Sequence, residues 1–249
     1  MRTSTTMKPF PQLFAGLTVL SLSLFGSAFV AGSAIRDFKA ANDVLVVTGS
    51  AKKPIRADYI ILSFSLSSQE PTARDAYQSL KSQIQRVKTY LKQKQVPDNA
   101  ITLSAISNYA IPQRGYNGVE TGKVLGYRLS QRFEIRSDDV EKYAELSQDL
   151  NELIEQGINI NVSAPQYLYT KLSQLRVEMV AEATKDAKAR AEAIAKTTGN
   201  QVGIVRSAKT GVFQITSRHS TAVSDYGIYD TSSLEKDITA VVSVQFSLE

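Results

Sequence analysis

Hydrophobic and polar positions follow two periods along this chain, after an uncharged apolar opening. From Leu13 to Ile35 no charged residue occurs, and Leu, Val and Phe dominate. Val44 to Gly49 then reads as a short strand that ends at the glycine, followed by a turn-like Ala51 to Asp58. Between Tyr59 and Ser67 the alternation is strict. Ile60, Leu62, Phe64 and Leu66 share one face while Ser63, Ser65 and Ser67 take the other, which predicts a half-buried strand. Past Pro71 and Thr72 the period lengthens: Ala73, Ala76, Tyr77, Leu80, Ile84, Val87 and Leu91 recur at helical spacing until Pro97 stops the run.

Ile101 to Ile111 and Lys123 to Arg136 predict two strands of a long hairpin, joined by a polar loop over Pro112 to Gly122. The second strand sets Tyr127, Leu129, Phe133 and Ile135 against Arg128, Ser130, Arg132, Glu134 and Arg136. Ser137-Asp138-Asp139 supplies N-cap chemistry for a helix whose inward positions are Val140, Tyr143, Ala144, Leu150, Leu153 and Ile154, with Gly157 ending it. Ile158 to Leu168 reads as a strand in which Pro165 marks a sheet edge or a bulge. The longest helix spans about Lys171 to Thr198. Its second half carries Ala183, Ala187, Ala191 and Ala195, a stripe of small side chains that permits very close packing on a sheet or on another subunit. Val202 to Arg206 and Thr210 to Ile215 are strand-like, Thr216 to Lys236 is polar and aperiodic, and Asp237 to Leu248 alternates again.

The order strand, helix, two strands occurs twice, over about 59–136 and 158–248. The pattern therefore predicts an α+β fold: two βαββ units with antiparallel sheet and long helices packed on it, preceded by an N-terminal apolar helix.

Charge gives the apolar opening its meaning. Arg2 and Lys8 precede it without an acidic residue, so residues 1–35 read as a signal peptide or a membrane anchor, and 36–43 as a linker. The apolar run is long enough to span a bilayer, which allows membrane association through residues 13–35. Either way the positive-inside rule places the remainder outside the cytoplasm. Beyond Lys8 the chain holds 27 basic against 24 acidic side chains, a balance that does not suggest nucleic acid. Cysteine is absent and His219 is the single histidine, which excludes thiol nucleophiles, disulfides, Cys-based zinc sites and any site needing two histidines.

Four stretches in order carry a family resemblance: Val47-Thr48-Gly49-Ser50-Ala51 before Ala57-Asp58, Thr72-Ala73-Arg74-Asp75-Ala76, Gly126-Tyr127-Arg128-Leu129-Ser130, and Ala183 to Gly199. On these the chain resembles the SIMPL-domain family, long catalogued as a domain of unknown function (541), over residues 44–249. Two departures are visible: Ala57 stands where many relatives have Pro, and segment 216–236 is individual. The resemblance implies export to the periplasm or outer envelope. It also implies assembly of some members into large ring-like oligomers and links to stress defence, without an established catalytic site.

The residues themselves offer few chemical candidates. His219 lies near Ser220 and Asp225, but the spacing matches no catalytic triad and a solvated loop histidine accounts for it. Asp138 and Asp139 are explained by capping, and the Asn161-Val162-Ser163 sequon falls in a strand. Tyr109, Tyr116, Tyr226 and Tyr229 lie in or near the two long loops, where tyrosine favours oligomer or partner contacts. Arg128, Arg132 and Arg136 line one strand face and suit an anionic surface. No catalytic, cofactor-binding or metal-ligating residue and no small-molecule substrate is identified. The sequence reading is a non-enzymatic homo-oligomer of the cell envelope, in the periplasm or at the outer face of the cytoplasmic membrane. The alternative is a monomeric binding module for anionic lipid headgroups or cell-wall polymers.

Overall fold

The computed structural model describes residues 16–28, 30 and 44–248. Apart from the helix α1 over 16–28, the segment read as signal or anchor (1–35) and the linker (36–43) lie outside the described residues. Among the described residues, no helix is long and apolar enough to cross a membrane. From there the elements run β1 (Val44–Arg56), β2 (Tyr59–Glu70), α2 (Ala73–Gln93), β3 (Ile101–Leu103), β4 (Ser107–Arg114), β5 (Glu120–Ser137) and α3 (Val140–Asp149). They continue with β6 (Ile160–Val162), β7 (Gln166–Leu168), α4 (Leu172–Thr198), β8 (Val202–Thr210), β9 (Gln214–Ser217), β10 (Ile228–Tyr229) and β11 (Glu235–Leu248). The class is α+β, with two sheets in which antiparallel pairing predominates.

The chain divides into two compact units. The larger takes Ala51–Ala181 and Val212–Ala240; the smaller takes the chain up to Ser50, Glu182–Gly211 and Val241–Glu249. In the larger unit β2 is the central strand. It pairs with β5 on one side, from Ile60↔Ser137 to Glu70↔Tyr127, and with β6 and β7 on the other. Ile60, Leu62, Phe64 and Leu66 are buried beneath α2 and α3, and the Phe64 and Phe133 rings stack with centroids 4.9 Å apart. Burying each such side chain is worth about 1.5–3 kcal/mol, which makes this face the core. Thr72 caps α2 by accepting the Asp75 N–H at 3.2 Å, while its hydroxyl donates to the Asp75 carboxylate at 2.7 Å. Gln95, at φ +58°, ends that helix before Pro97 is reached.

Several boundaries differ from the pattern, each for a local reason. The segment 101–111 is two strands: the Ser104 N–H still donates to the Arg132 carbonyl at 3.0 Å, but the return bond from the Arg132 N–H goes to the Ser104 hydroxyl instead of its carbonyl. The segment 158–168 breaks around Pro165, and both pieces pair with β2. Residues 202–215 hold β8 and the start of β9 rather than two short strands, and the loop expected over 112–122 tightens to 115–119. Tyr77 and Ile154, expected inward, are exposed.

In the smaller unit β11 pairs with β8, Val242 opposite Thr210 and Val244 opposite Ala208. The second half of α4 lies on its sheet. Ala183, Ala187, Ala191 and Ala195 are completely buried or nearly so, together with Val47, Val242, Val244 and Phe246. Strand β1 does not end at Gly49 as the pattern suggested; it runs on to Arg56. Gly49 is instead the point of closest approach, since a Cβ added there would overlap the Ala183 carbonyl oxygen and the Ala187 nitrogen. The next residue ties the same strand to the helix, the Ser50 N–H donating to Asp186 Oδ2 at 2.8 Å. That bond, with Arg190 at 2.9 Å, holds the Asp186 carboxyl below its ordinary range. The helix ends at Gly199 in the left-handed region, φ +79°, as the C′ residue.

Gly49→Ala is expected to lower the unfolding free energy by about 2 kcal/mol through overpacking. Thr48→Ala, on the exposed face of the same strand, should change it by no more than about 0.5 kcal/mol. Urea denaturation of the two variants checks the contrast.

Candidate functional site

Three titratable groups that are shifted and largely buried, Asp230, Lys236 and Asp237, gather where β11 begins, within the larger unit. Lys236 has no solvent exposure, although its segment reads as a polar loop. Its ammonium donates to the Asp230 carbonyl at 2.6 Å and stands 3.4 Å from the Asp230 carboxylate. Asp230 in turn accepts from the Ser232 N–H at 2.8 Å and the Ser232 hydroxyl at 2.7 Å. Burial alone would raise the Asp230 carboxyl; the Ser232 and Ser233 bonds and the Lys236 charge more than reverse this and bring it to about 2. Burial pushes the Lys236 ammonium below its ordinary range, and Asp230 restores only part of that.

At neutral pH these two shifts have opposite signs for stability. The carboxylate's favours the folded state, and the ammonium's is a cost of desolvation. The geometry supports the carboxylate as the better-stabilised partner, because it collects the serine donors while the closest contact of the lysine is a neutral carbonyl. The pair fastens the segment that follows β10 to the start of β11.

Asp237, also buried, anchors a second set. It lies 3.1 Å from Lys52 and 3.6 Å from Arg218, and it accepts the His219 N–H at 3.0 Å. Burial raises its carboxyl, and the His219 bond and the Lys52 and Arg218 charges outweigh that, holding it below the usual range. Arg218 also reaches Glu235 at 3.1 Å, and Arg56 joins Glu235 at 3.4 Å to Glu141 at 2.5 Å. The result is an alternating chain of charges from Lys52 to Glu141 across β1, β11 and α3. Each cation in it is already neutralised by a carboxylate, so it suits structure better than proton transfer.

The expected site residues fall in separate places. His219 adopts φ +62° and uses its backbone to close the turn onto Asp237; no bond joins its imidazole to Ser220 or Asp225 among the described residues. Asp139 caps α3, accepting the Lys142 N–H at 3.3 Å. Tyr109 and Tyr116 stand exposed on the β4–β5 hairpin. Tyr226 and Tyr229 border an open groove of about 480 Å³ with Leu172, Arg176 and Phe213, where the Arg176 guanidinium lies 5.6 Å from the Phe213 ring centre. Arg128, Arg132 and Arg136 occupy the open face of the first sheet, with Arg136 bound to Glu134 at 2.7 Å. Among the described residues, no group of three or more His, Asp or Glu side chains converges in a way that would hold a metal ion.

The buried Lys236 and Asp237 were missed by sequence reasoning. One signal was available: Lys236 is in phase with Ile238, Ala240 and Val242, the inward positions of the final strand. A lysine at such a position requires a buried counter-charge, and Asp230 is the acid that the intervening turn brings back to it.

Fold and surface together define an α+β protein whose charged residues brace its sheets and which exposes several tyrosines, Tyr109, Tyr116, Tyr226 and Tyr229 among them. Residues 45–246 match the model of the family SIMPL, described as a protein of unknown function (DUF541), and the chain belongs to that family. Comparison with curated proteins gives no match.

Because the folded-state value of Asp230 lies below the ordinary 3.8, its stabilisation is complete at neutral pH and is lost as pH falls from about 4 through about 2. The amount is about 2 kcal/mol. Asp230→Asn, which leaves Lys236 buried without a counter-charge, should cost about 3 kcal/mol at neutral pH and remove this acid limb. Urea unfolding followed from neutral pH down to about pH 2 reads both effects.

Proposed function

We propose that this SIMPL-domain protein is a non-enzymatic component of the cell envelope that acts as a homo-oligomeric scaffold. The observation that carries the reading is the distal part of the β4–β5 hairpin. Along β4 every residue from Ser107 to Ala110 is exposed, and Tyr109, Tyr116, Val119, Val124 and Leu125 present large apolar surfaces to solvent. Exposed apolar side chains concentrated on one projecting element mark contact with a partner. Tyrosine is well suited to such contacts, because it brings a large rigid surface and a polar tip.

The hairpin is built to keep its shape without a covering layer. Cross-strand pairing continues to Arg114↔Glu120, and the Gly115 N–H closes the tip onto the Val119 carbonyl at 2.8 Å. A second copy of this chain is the natural partner, since the resemblance stated above implies oligomers. The basic N-terminus and uncharged run of 13–35 support placement in the periplasm or at the outer face of the cytoplasmic membrane. The link to envelope or oxidative stress defence rests on the resemblance alone. A non-enzymatic role agrees with acids and bases that are committed to neutralising one another.

Native mass spectrometry of detergent-extracted full-length protein should show a defined multimer, and Tyr109→Ser with Tyr116→Ser should shift it toward monomer. A wild-type protein that stays strictly monomeric at high concentration overturns the proposal.

A further inference from the structure

The sheet centred on β2 gives one face to helices and leaves the other to solvent, and that second face has an unusual composition. On the central strand β2 the outward residues include Ser63, Ser65, Ser67 and Gln69, all at least partly accessible. Serine is a weak strand former, and solvent-facing strands more often carry β-branched or aromatic side chains. Three consecutive outward serines therefore lower the middle of the face into a trough about 13 Å long, taking about 3.3 Å per residue.

Register supplies the walls. Cross-strand partners in antiparallel pairs point to the same face. Ser65 is flanked by Arg132 on β5 and Asn161 on β6, and Gln69 is flanked by Arg128. Tyr109 on β4 is the partner of Arg128 on its far side, so an exposed aromatic ring stands at one end of the trough. Arg128 donates to the neutral Gln69 amide oxygen at 2.9 Å. Among the described residues, neither Arg128 nor Arg132 has a carboxylate within ion-pair distance, and Glu134 is engaged by Arg136. The face thus combines two cations lacking counter-charges, a row of hydroxyls and amides, and an aromatic edge.

We infer that this trough binds a single extended acidic polysaccharide, one with a carboxylate on alternate sugars. Serine hydroxyls and the Asn161 amide match sugar hydroxyls, the arginines match carboxylates bidentately, and Tyr109 offers a surface on which a sugar ring stacks. Arg128 and Arg132, about 13 Å apart along the strand, suit sparse charge. A nucleic-acid strand with a phosphate about every 3.4 Å would leave most of its charges unmet. A bilayer meets protruding cations and apolar wedges better than a recessed row of hydroxyls. The inference shares only Tyr109 with the oligomer reading; the serines, Asn161 and the two arginines carry the binding where a second copy covers that ring, and all lie within the larger unit of one chain.

The test uses the full-length protein in detergent with immobilised hyaluronate, which carries a carboxylate on alternate sugars, beside neutral dextran and phosphatidylglycerol vesicles. Wild-type protein should bind hyaluronate and release it as salt rises, with no retention on dextran. Arg128→Gln with Arg132→Gln should weaken binding by about tenfold or more. Ser65→Val with Ser67→Val fills the trough while leaving the charges intact, and should weaken it by about fivefold. Unfolding midpoints of both variants should match wild type, because all four positions face solvent and valine favours strands. The inference is overturned by failure of wild-type protein to bind hyaluronate, by equal retention on dextran, or by tighter binding to the vesicles. It is equally overturned if the valine variant binds like wild type, which would mark the face as a simple cation-exchange surface.

Discussion

The smaller unit depends on one backbone-to-backbone contact. Where β1 passes under α4, no side chain separates strand from helix: Gly49 meets the Ala183 carbonyl and the Ala187 nitrogen directly. Four alanines at four-residue spacing continue the buried face of the helix, and Val47, Val242, Val244 and Phe246 are buried in the same unit. Each alanine buries little area by itself. The gain comes from dispersion over many atoms held at close range, and it is forfeited by small displacements. The Ser50 amide, pointing at Asp186 one residue beyond the contact, adds a directional bond that a sliding helix would lose.

The larger unit is stabilised differently. Its core of leucine, isoleucine and stacked phenylalanine supplies ordinary burial, whereas the polar segment between β9 and β11 is fixed by charge. A buried lysine is costly by itself, and it is tolerated here because Asp230, loaded with serine hydrogen bonds, stays ionised next to it. The second set, around Asp237, ties β1 to β11 and to the loop through Lys52, Arg218 and the His219 amide. These groups resemble catalytic constellations in their degree of perturbation. Their mutual neutralisation gives them another purpose, which is to specify how a polar loop returns to a sheet.

Much of the fold was legible because period and burial coincide. The alternation of Tyr59 to Ser67 and the helical spacing of Ala76, Leu80, Ile84, Val87 and Leu91 both reappear as buried faces. Errors arose where one residue has two meanings. Gly49 looked like a strand terminator and is a close-approach site, a distinction fixed by the helix above it and not by its neighbours in sequence. Ser104 interrupts a run that hydrophobicity alone joins, because its hydroxyl competes for a ladder hydrogen bond. The charged cluster was illegible for a related reason: the loop that pairs Asp230 with Lys236 has no period of its own. The serines of β2 are legible from alternation as an outward face, but the groups beside them follow from the register that sets Arg132 and Asn161 on either side.

The exposed aromatic hairpin and the hydroxyl-lined sheet face belong to the larger unit, and the strand–helix contact organises the smaller one. That contact is central to the smaller unit, and the structure places it within one chain, whereas an alanine stripe could also serve between subunits. Amide hydrogen exchange measured over a wide range of protein concentration separates the two. Protection of Ala183 to Ala195 at the level of global unfolding, unchanged on dilution through dissociation of any oligomer, is the predicted result. Protection that collapses as the oligomer dissociates would show that the stripe faces another subunit, and would contradict the account.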